Sequence, residues 1–116
     1  MKVLRSTEVL RISSEEQIIS LGLAGYIMLA EASEIFVSGT VAIGRDVEFH
    51  GCCEIRDGSR IDKGCVLTDV KLGKSNHVRP YSVLTKFTSG DSNLLGPFCF
   101  VRDGCRTLND CIIGSH

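Results

Sequence analysis

The 116-residue sequence contains no tryptophan and only two prolines, and aromatic residues make up 6% of the chain. Its formal net charge is -1, and it has no basic stripe with interleaved aromatic residues, so a nucleic-acid partner is not expected. The most apolar run, Leu21 to Ala30, is about half the length of a membrane span. The N-terminus lacks the long apolar core and cleavage site of a signal peptide. These absences lead us to expect a soluble cytoplasmic protein.

A hydrophobic position recurs almost every six residues from Ile43 onward. The thirteen positions are Ile43, Phe49, Ile55, Ile61, Leu67, Leu72, Val78, Leu84, Ser89, Leu95, Val101, Thr107 and Ile113, and eleven of them carry large apolar side chains. This period fits neither a helical turn of 3.6 residues nor the alternation of a single strand. It fits short strands that meet at turns, three to a coil of about eighteen residues. The sequence therefore predicts a mainly β fold, a parallel β-helix whose neighbouring coils bury a continuous core.

Stacking about four or five such coils predicts which inward side chains lie above one another. One row is Ile43, Ile61, Val78, Leu95 and Ile113, and a second is Phe49, Leu67, Leu84 and Val101. The third row includes two polar residues, Ser89 and Thr107, with Asn76 and Asn93 nearby. Two interpretations of these polar residues remain open. They form a ladder of hydroxyl and amide groups down one corner, or they weaken one face of the core.

The first 25 residues are expected to cap the β-helix. Ser13 or Ser14 is the predicted N-cap of a helix from about Ser14 to Ala24, and Ser13 with Glu16 has the spacing of a capping box. The earlier stretch, Val3 to Ile12, is a candidate to extend this helix upstream. We therefore divide the chain into an N-terminal capping helix, residues 1–25, and a β-helix, residues 26–116. The helix should cover the unpaired backbone groups at the open end of the first coil.

Six cysteines occur without a CxxC pair, the spacing that is typical of zinc and redox sites. Five of them follow an inward position by four residues: Cys53, Cys65, Cys99, Cys105 and Cys111. Other hexads place valine, serine or threonine there, so cysteine is interpreted as one more small core side chain. Disulfides and a bound metal are therefore not expected, and free thiols suit a reducing compartment.

Six short motifs occur in the same order as in a known enzyme family. They are Leu23-Ala24-Gly25, Gly39-Thr40-Val41, Gly44-Arg45-Asp46-Val47-Glu48, Lys63-Gly64-Cys65-Val66, Pro80-Tyr81-Ser82-Val83 and Gly96-Pro97-Phe98. Nearly the whole chain resembles the linker helix and first coils of the bifunctional N-acetylglucosamine-1-phosphate uridyltransferase/glucosamine-1-phosphate acetyltransferase. The resemblance implies a left-handed β-helix of hexapeptide repeats, a trimer, and a place in UDP-N-acetylglucosamine biosynthesis for the cell wall.

The resemblance also implies what these 116 residues lack. In the family, a nucleotide-binding domain precedes the linker helix, and the catalytic histidine and the acetyl-CoA site lie on later coils. The family's arginine shortly after Gly-Pro-Phe, which contacts the sugar phosphate, matches Arg102. The alternative for Arg102 is a surface ion pair. We expect a truncated relative without a complete active site, with Arg102 as its candidate sugar-phosphate contact and no catalytic residue.

Two other functions remain open at this point. One is a trimeric scaffold that binds a partner or an anionic sugar on its coil faces. The other is an acyltransferase completed by another chain. No cofactor is expected unless the acyltransferase hypothesis is right, in which case acetyl-CoA is required.

The remaining charged residues support no single interpretation. The basic residues Lys71, Lys74, Arg79 and Lys86 fall within two coils and either line a groove for an anionic ligand or form a solvated face. The histidines His50 and His77 are predicted to be solvated corner residues, and His116 has no fixed surroundings.

Overall fold

The structure is a computed structural model that describes residues 1–102, 104–107 and 109–114. Within these residues the elements are, in chain order, β1 (Lys2–Ile12), α1 (Glu15–Ser20), β2 (Ile27–Leu29), β3 (Glu34–Ile43), β4 (Val47–His50), β5 (Cys52–Ile55), β6 (Arg60–Ile61), β7 (Val66–Thr68), β8 (Lys71–Leu72), β9 (His77–Val78), β10 (Val83–Thr85), β11 (Thr88–Ser89), β12 (Leu94–Leu95), β13 (Phe100–Val101), β14 (Arg106–Thr107) and β15 (Ile112–Ile113). Most strands are very short and are separated by turns, as the six-residue period requires.

From β2 onward the strands wind into about five coils with three faces. Face 1 contains β2, β4, β7, β10 and β13. Face 2 contains the first half of β3 with β5, β8, β11 and β14, and face 3 contains the second half of β3 with β6, β9, β12 and β15. All of these pairs are parallel. The arrangement fits a left-handed parallel β-helix of hexapeptide repeats, and the predicted fold class is confirmed.

The inward side chains form one row on each face, with register partners one coil apart. The face 3 row is Ile43, Ile61, Val78, Leu95 and Ile113, and the face 1 row contains Phe49, Leu67, Leu84 and Val101, as predicted. On face 2, Ile55 is followed by Leu72, Ser89 and Thr107. Most of the large side chains in these rows are fully buried. Burying each one stabilises the fold by about 1.5 to 3 kcal/mol.

A ladder of polar side chains runs down the corner between faces 2 and 3. Asn76 donates from Nδ2 to the Gly90 carbonyl at 2.7 Å and accepts on Oδ1 from the Asn93 backbone N–H at 2.9 Å. Asn93 Oδ1 in turn accepts from the backbone N–H of Cys111 at 2.8 Å. The predicted ladder is therefore present for the asparagines. Ser89 and Thr107 do not belong to it, because their buried hydroxyl oxygens have no hydrogen-bond partner among the described residues.

Residues 2–12 form a strand, so the predicted upstream extension of the helix is wrong. β1 runs antiparallel to β3, from Lys2 opposite Ile43 to Ile12 opposite Ile35, with an irregularity between Ser6 and Leu10. Since the other edge of β3 pairs with β5 and β6, β1 covers the first coil on faces 2 and 3. The segment is rich in the β-branched residues that suit a strand, and pairing with β3 satisfies its backbone groups. The capping role predicted for a helix thus belongs largely to β1.

The helix α1 is shorter than the predicted span from Ser14 to Ala24. Ser14 is its N-cap and accepts on Oγ from the Gln17 backbone N–H at 3.3 Å, so Gln17 takes the place expected for Glu16. The helix ends early because Gly22 adopts a positive φ of 71°. The N–H of the next residue, Leu23, then donates to the Ile18 carbonyl at 2.8 Å, which is the hydrogen bond of a Schellman motif. Ile18 and Leu23 are buried in the core at this end.

Candidate functional site

Arg102 lies just after β13, at the corner between faces 1 and 2 of the fifth coil. Its side chain is exposed and forms no hydrogen bond or ion pair with any residue that the structure describes. Two residues further on, the Gly104 N–H donates to the Lys86 carbonyl at 3.0 Å and links the fifth coil to the fourth. The surface ion pair considered for Arg102 is therefore not formed within the described part of the chain, and its guanidinium is accessible to an anion.

The column of residues that contains Arg102 also contains a histidine, at a large distance. His50 pairs in register with Thr68, and Thr68 pairs with Thr85. The register of β10 and β13 places Arg102 next above Thr85. His50 is thus three coils away, about 14 Å at the usual strand spacing. A general base must lie within hydrogen-bond reach of the proton it removes, and the register does not place His50 next to Arg102.

His50 and His77 lie on strands, so their predicted corner positions are wrong, whereas their side chains remain partly exposed to solvent as predicted. His50 ends β4, with Nε2 at 3.4 Å from Glu48 Oε1. His77 begins β9, with Nε2 at 2.8 Å from Asp62 Oδ2. Both rings are partly buried because outward strand positions are flanked by the side chains of neighbouring coils. The prediction for His116 falls outside the described residues.

Asp62 is the buried centre of a charged cluster that joins the second and third coils. Its Oδ1 accepts from Arg60 Nε at 2.8 Å, and its Oδ2 lies at 2.8 Å from His77 Nε2. Burial by itself raises the pKa of Asp62, but the hydrogen bonds from His77 and Arg60 outweigh burial, so the pKa lies below its ordinary value. The carboxylate therefore stays ionised and holds two outward side chains of face 3 in place.

Two cations near this cluster lie over aromatic rings that the sequence analysis did not connect to them. The Arg45 guanidinium is 4.9 Å from the centroid of the Tyr26 ring, and Lys63 Nζ is 5.9 Å from the centroid of Tyr81. The two residues of each pair lie about one coil apart in the sequence, so the coil period could have predicted both contacts. With Arg60, these cations line a shallow groove of about 320 Å³. The structure thus forms two separate cation–ring contacts, each between neighbouring coils.

The four basic residues considered for an anion groove divide into two groups. Lys71 and Lys74 line a groove of about 550 Å³ on the outside of face 2, together with Arg56. Arg79 and Lys86 lie at other corners of the coils and do not line it. The structure thus brings together two of the four residues and adds an arginine that the sequence analysis had not included.

The cysteines differ in how deeply their side chains are buried. Cys53, Cys65 and Cys99 are buried small side chains, as predicted, and burial raises the pKa of Cys53 and of Cys65 to about 11. Cys105 and Cys111 depart from the prediction, since one is exposed and the other partly exposed. Both belong to the fifth coil, where no further described coil covers them. Among the described residues, no group of three or more His, Cys, Asp or Glu side chains is arranged to hold a metal ion.

Comparisons with known proteins find that the chain is similar to part of a bifunctional protein from several organisms. It is 37% identical to the bifunctional protein GlmU of Herminiimonas arsenicoxydans over an alignment of 95 residues, with a coverage of 77% of this chain and 21% of that protein. The same shares are covered in GlmU of Janthinobacterium sp. (strain Marseille) at 36% identity, and of Acinetobacter baylyi at 32%. No protein-family model matches the chain. In the described part of the chain, no helix has the length and apolar character that crossing a membrane requires.

The chain spans about a fifth of the length of the curated relatives it matches. The resemblance carried by the short motifs is confirmed, and the partial match fits a fragment of the acetyltransferase domain.

Proposed function

We propose, from the partial homology to GlmU, that this chain is a β-helical module of the amino-sugar acetyltransferase kind that binds a sugar phosphate through Arg102. The observation that carries the proposal is the match over 77% of the chain on a β-helix of the expected repeat. The accessible guanidinium of Arg102, with no partner among the described residues, supports the sugar-phosphate contact. A planar guanidinium binds a phosphate with two parallel hydrogen bonds.

We further propose that these 116 residues do not transfer an acetyl group by themselves. Arg102 cannot act as a base, because a guanidinium stays protonated at any accessible pH. His50 lies about 14 Å away in the same column, and His77 lies on a different face with one ring nitrogen hydrogen-bonded to Asp62. Acetyl-CoA becomes a cofactor only if residues from another chain complete the site. A cytoplasmic location, expected from the sequence, remains a prediction.

The assembly we propose is a trimer in which copies meet along face 1. The outward side chains there include the exposed Phe100, next to a stacked pair at the corner, Tyr81 and Phe98, whose ring centroids are 5.7 Å apart. Aromatic residues of this kind are enriched in protein interfaces. Replacing Phe100 by Glu should shift the protein toward monomers in light scattering. A wild-type protein that is a stable monomer at micromolar concentration contradicts this assembly.

The test of sugar-phosphate binding uses the exposed thiol of Cys105, three residues beyond Arg102. Glucosamine 1-phosphate should slow alkylation of Cys105 by iodoacetamide, read by peptide mass spectrometry, and should not do so in Arg102→Ala. Arg79→Ala, an arginine elsewhere on the coils, is the matched control and should behave as wild type. Absence of protection in wild type contradicts the proposed contact.

The test of catalysis is thiol release from acetyl-CoA in the presence of glucosamine 1-phosphate. We expect only the background rate for both wild type and Arg102→Ala. Turnover in wild type that disappears in Arg102→Ala would show that the chain contains an active site, and would favour the acyltransferase hypothesis over the binding module.

A further inference from the structure

The groove on the outside of face 2 combines a cationic wall with an apolar one. The outward row of this face runs from Phe36 to Glu54 and then Lys71, each one coil from the next. Phe36 and Lys71 are therefore about 10 Å apart across the strands. Lys74 follows Lys71 in the next turn and lines the same groove of about 550 Å³. That volume lies within the usual range for small-molecule sites.

The charges in this groove are unbalanced. Asp69 and Asp91 do not line the groove, but their carboxylates accept from the backbone N–H groups of Cys52 and Lys74 at its edge. Three cations, Arg56, Lys71 and Lys74, line the groove itself together with a single carboxylate, Glu54. The carboxylate is already partly neutralised, because Glu54 Oε1 lies at 3.3 Å from Arg56 Nη2. No ion pair of the described residues involves Lys71 or Lys74. Two ammonium groups thus remain available for an anion.

The apolar wall consists of Val9 from the N-terminal strand β1 and Phe36 from β3. The ladder between β1 and β3 shifts register between Ser6 and Leu10, so the intervening residues leave the regular pairing. Val9 lies in this irregular stretch, is exposed, and lines the groove beside Phe36. A ligand whose phosphate meets the lysines therefore has an aromatic and an aliphatic side chain at its other end. A free phosphate ion would contact only the cationic wall of the groove.

We propose that the face 2 groove is a binding site for a phosphomonoester carried on a ring, with Lys71 and Lys74 on the phosphate and Phe36 with Val9 against the ring. The ring is that of a sugar or of a nucleoside, since both present a flat or apolar face to an aromatic side chain. The site is independent of Arg102, which lies on the fifth coil after a face 1 strand. A phosphomonoester has its second pKa near 6, so the dianion that matches two ammonium groups predominates at neutral pH.

The exposed thiol of Cys52 lines the groove and reports on its occupancy. The probes are adenosine monophosphate, glucose 1-phosphate, inorganic phosphate, and the neutral compounds adenosine and glucose. Iodoacetamide alkylation of Cys52 and of Cys105 is followed separately by peptide mass spectrometry. Because Cys105 reports on the Arg102 corner, failure at one site is distinguished from failure at the other.

We expect at least one of the two ring-bearing phosphates to slow alkylation of Cys52 by threefold or more, roughly what about two-thirds occupancy produces. Adenosine monophosphate and glucose 1-phosphate thereby distinguish a nucleoside from a sugar as the preferred carrier. Protection should be weaker at pH 5 than at pH 7.5, where the phosphate is a dianion. The neutral compounds should protect little, and Arg102→Ala should leave protection of Cys52 unchanged.

The decisive variant is Lys71→Ala with Lys74→Ala, which should raise the half-protecting concentration by about tenfold or more. Arg79→Ala with Lys86→Ala removes the same charge elsewhere on the coils and is the matched control. If both double variants raise the half-protecting concentration equally, the phosphates are attracted only by the overall charge of the protein. That result overturns the proposed site. Protection by inorganic phosphate equal to that by the ring-bearing esters overturns the role of the apolar wall. No protection by any phosphate up to about 10 mM, a free energy too small for a specific site, overturns the proposal.

Discussion

The backbone of the β-helix has the same geometry in the second and third coils as in the fourth and fifth coils, but the inward side chains of the two regions differ. On face 2 the earlier pair stacks Ile55 on Leu72, whereas the later pair stacks Ser89 on Thr107 in the same register. The first two side chains are fully or almost fully buried apolar groups, and the last two contain hydroxyl oxygens with no partner among the described residues. An unpaired buried hydroxyl costs about 1 to 3 kcal/mol, whereas a buried leucine or isoleucine stabilises by a similar amount.

The comparison teaches that the regular backbone of a β-helix does not imply uniform stability. Each coil is stabilised by its own row members and by contacts with its neighbours, so local composition sets local stability. The asparagine ladder continues through both regions, from Asn76 to Asn93 and on to the backbone of Cys111. The hydrogen bonds of this corner therefore continue into the later coils, and the difference between the two regions lies in face 2. We expect opening to begin in the later coils.

The largest expected effect on stability comes from a substitution in the better-packed region, the second and third coils. Leu72→Ala removes a nearly fully buried side chain between Ile55 and Ser89 and should lower the free energy of unfolding by about 2 to 5 kcal/mol. Urea unfolding followed by circular dichroism measures it. A loss below about 1 kcal/mol would mean that face 2 is already loosely packed at this coil, and would remove the contrast between the two regions.

The next effect is a difference in thiol access in the native protein. Cys53 lies in the second coil and Cys99 in the fifth, and both are buried. If the later coils open more easily by about 1.4 kcal/mol, Cys99 should react with a bulky thiol reagent roughly tenfold faster than Cys53. Peptide mapping of the labelled protein gives both rates, with the exposed Cys52 and Cys105 as fast references. Equal rates for Cys53 and Cys99 would indicate that the chain opens as a single unit.

A smaller, pH-dependent effect concerns the cluster that joins the second and third coils. Because the pKa of Asp62 is lowered in the folded protein, its contribution to stability is fully present above the ordinary value of 3.8 and is lost as the pH falls through the lower folded value. The greater stability of the second and third coils, compared with the later coils, should therefore decrease at acidic pH. Asp62→Asn should flatten this part of the stability profile, whereas Asp110→Asn, at an exposed position of the fifth coil, should retain it. A profile unchanged by Asp62→Asn contradicts the role of the cluster.

The smallest expected effect on stability comes from removing an unpaired hydroxyl in the fourth coil. Ser89→Ala removes one unpaired buried hydroxyl and should leave stability unchanged or raise it by up to about 1 kcal/mol. The urea midpoint is the measurement, and Ser82→Ala is the matched control. The Ser82 hydroxyl donates to the Arg79 carbonyl at 2.9 Å, so its loss should destabilise. Destabilisation by Ser89→Ala would show that its hydroxyl has a partner in solution, such as a bound water.

The rows of the β-helix could be predicted from sequence because each inward position repeats locally. A hexad specifies its own face, and stacking at the coil period follows without knowledge of distant contacts. β1 could not be found in this way, since Lys2 meets Ile43 only in the folded chain and the segment has no repeat of its own. The shortened helix had a visible signal in Gly22, whose positive φ ends it.

The candidate site was harder to predict because its residues converge from different coils. The family resemblance identified Arg102, but only the structure shows that it has no partner among the described residues and that His50 is three coils away. Asp62 and His77 come together because His77 lies one coil after Arg60, and the coil period contained this information. Cys105 and Cys111 follow the same spacing as the buried cysteines. Their exposure depends on whether another coil lies above them, which spacing does not encode.

The antiparallel direction of β1 has a consequence for how whole molecules can join end to end. A β-helix lengthens when another coil adds parallel to an exposed rim, yet β1 occupies that position on two of the three faces of the first coil. Another coil therefore cannot add in parallel to these two faces of the first coil. A single reversed strand thus blocks end-to-end growth at this rim.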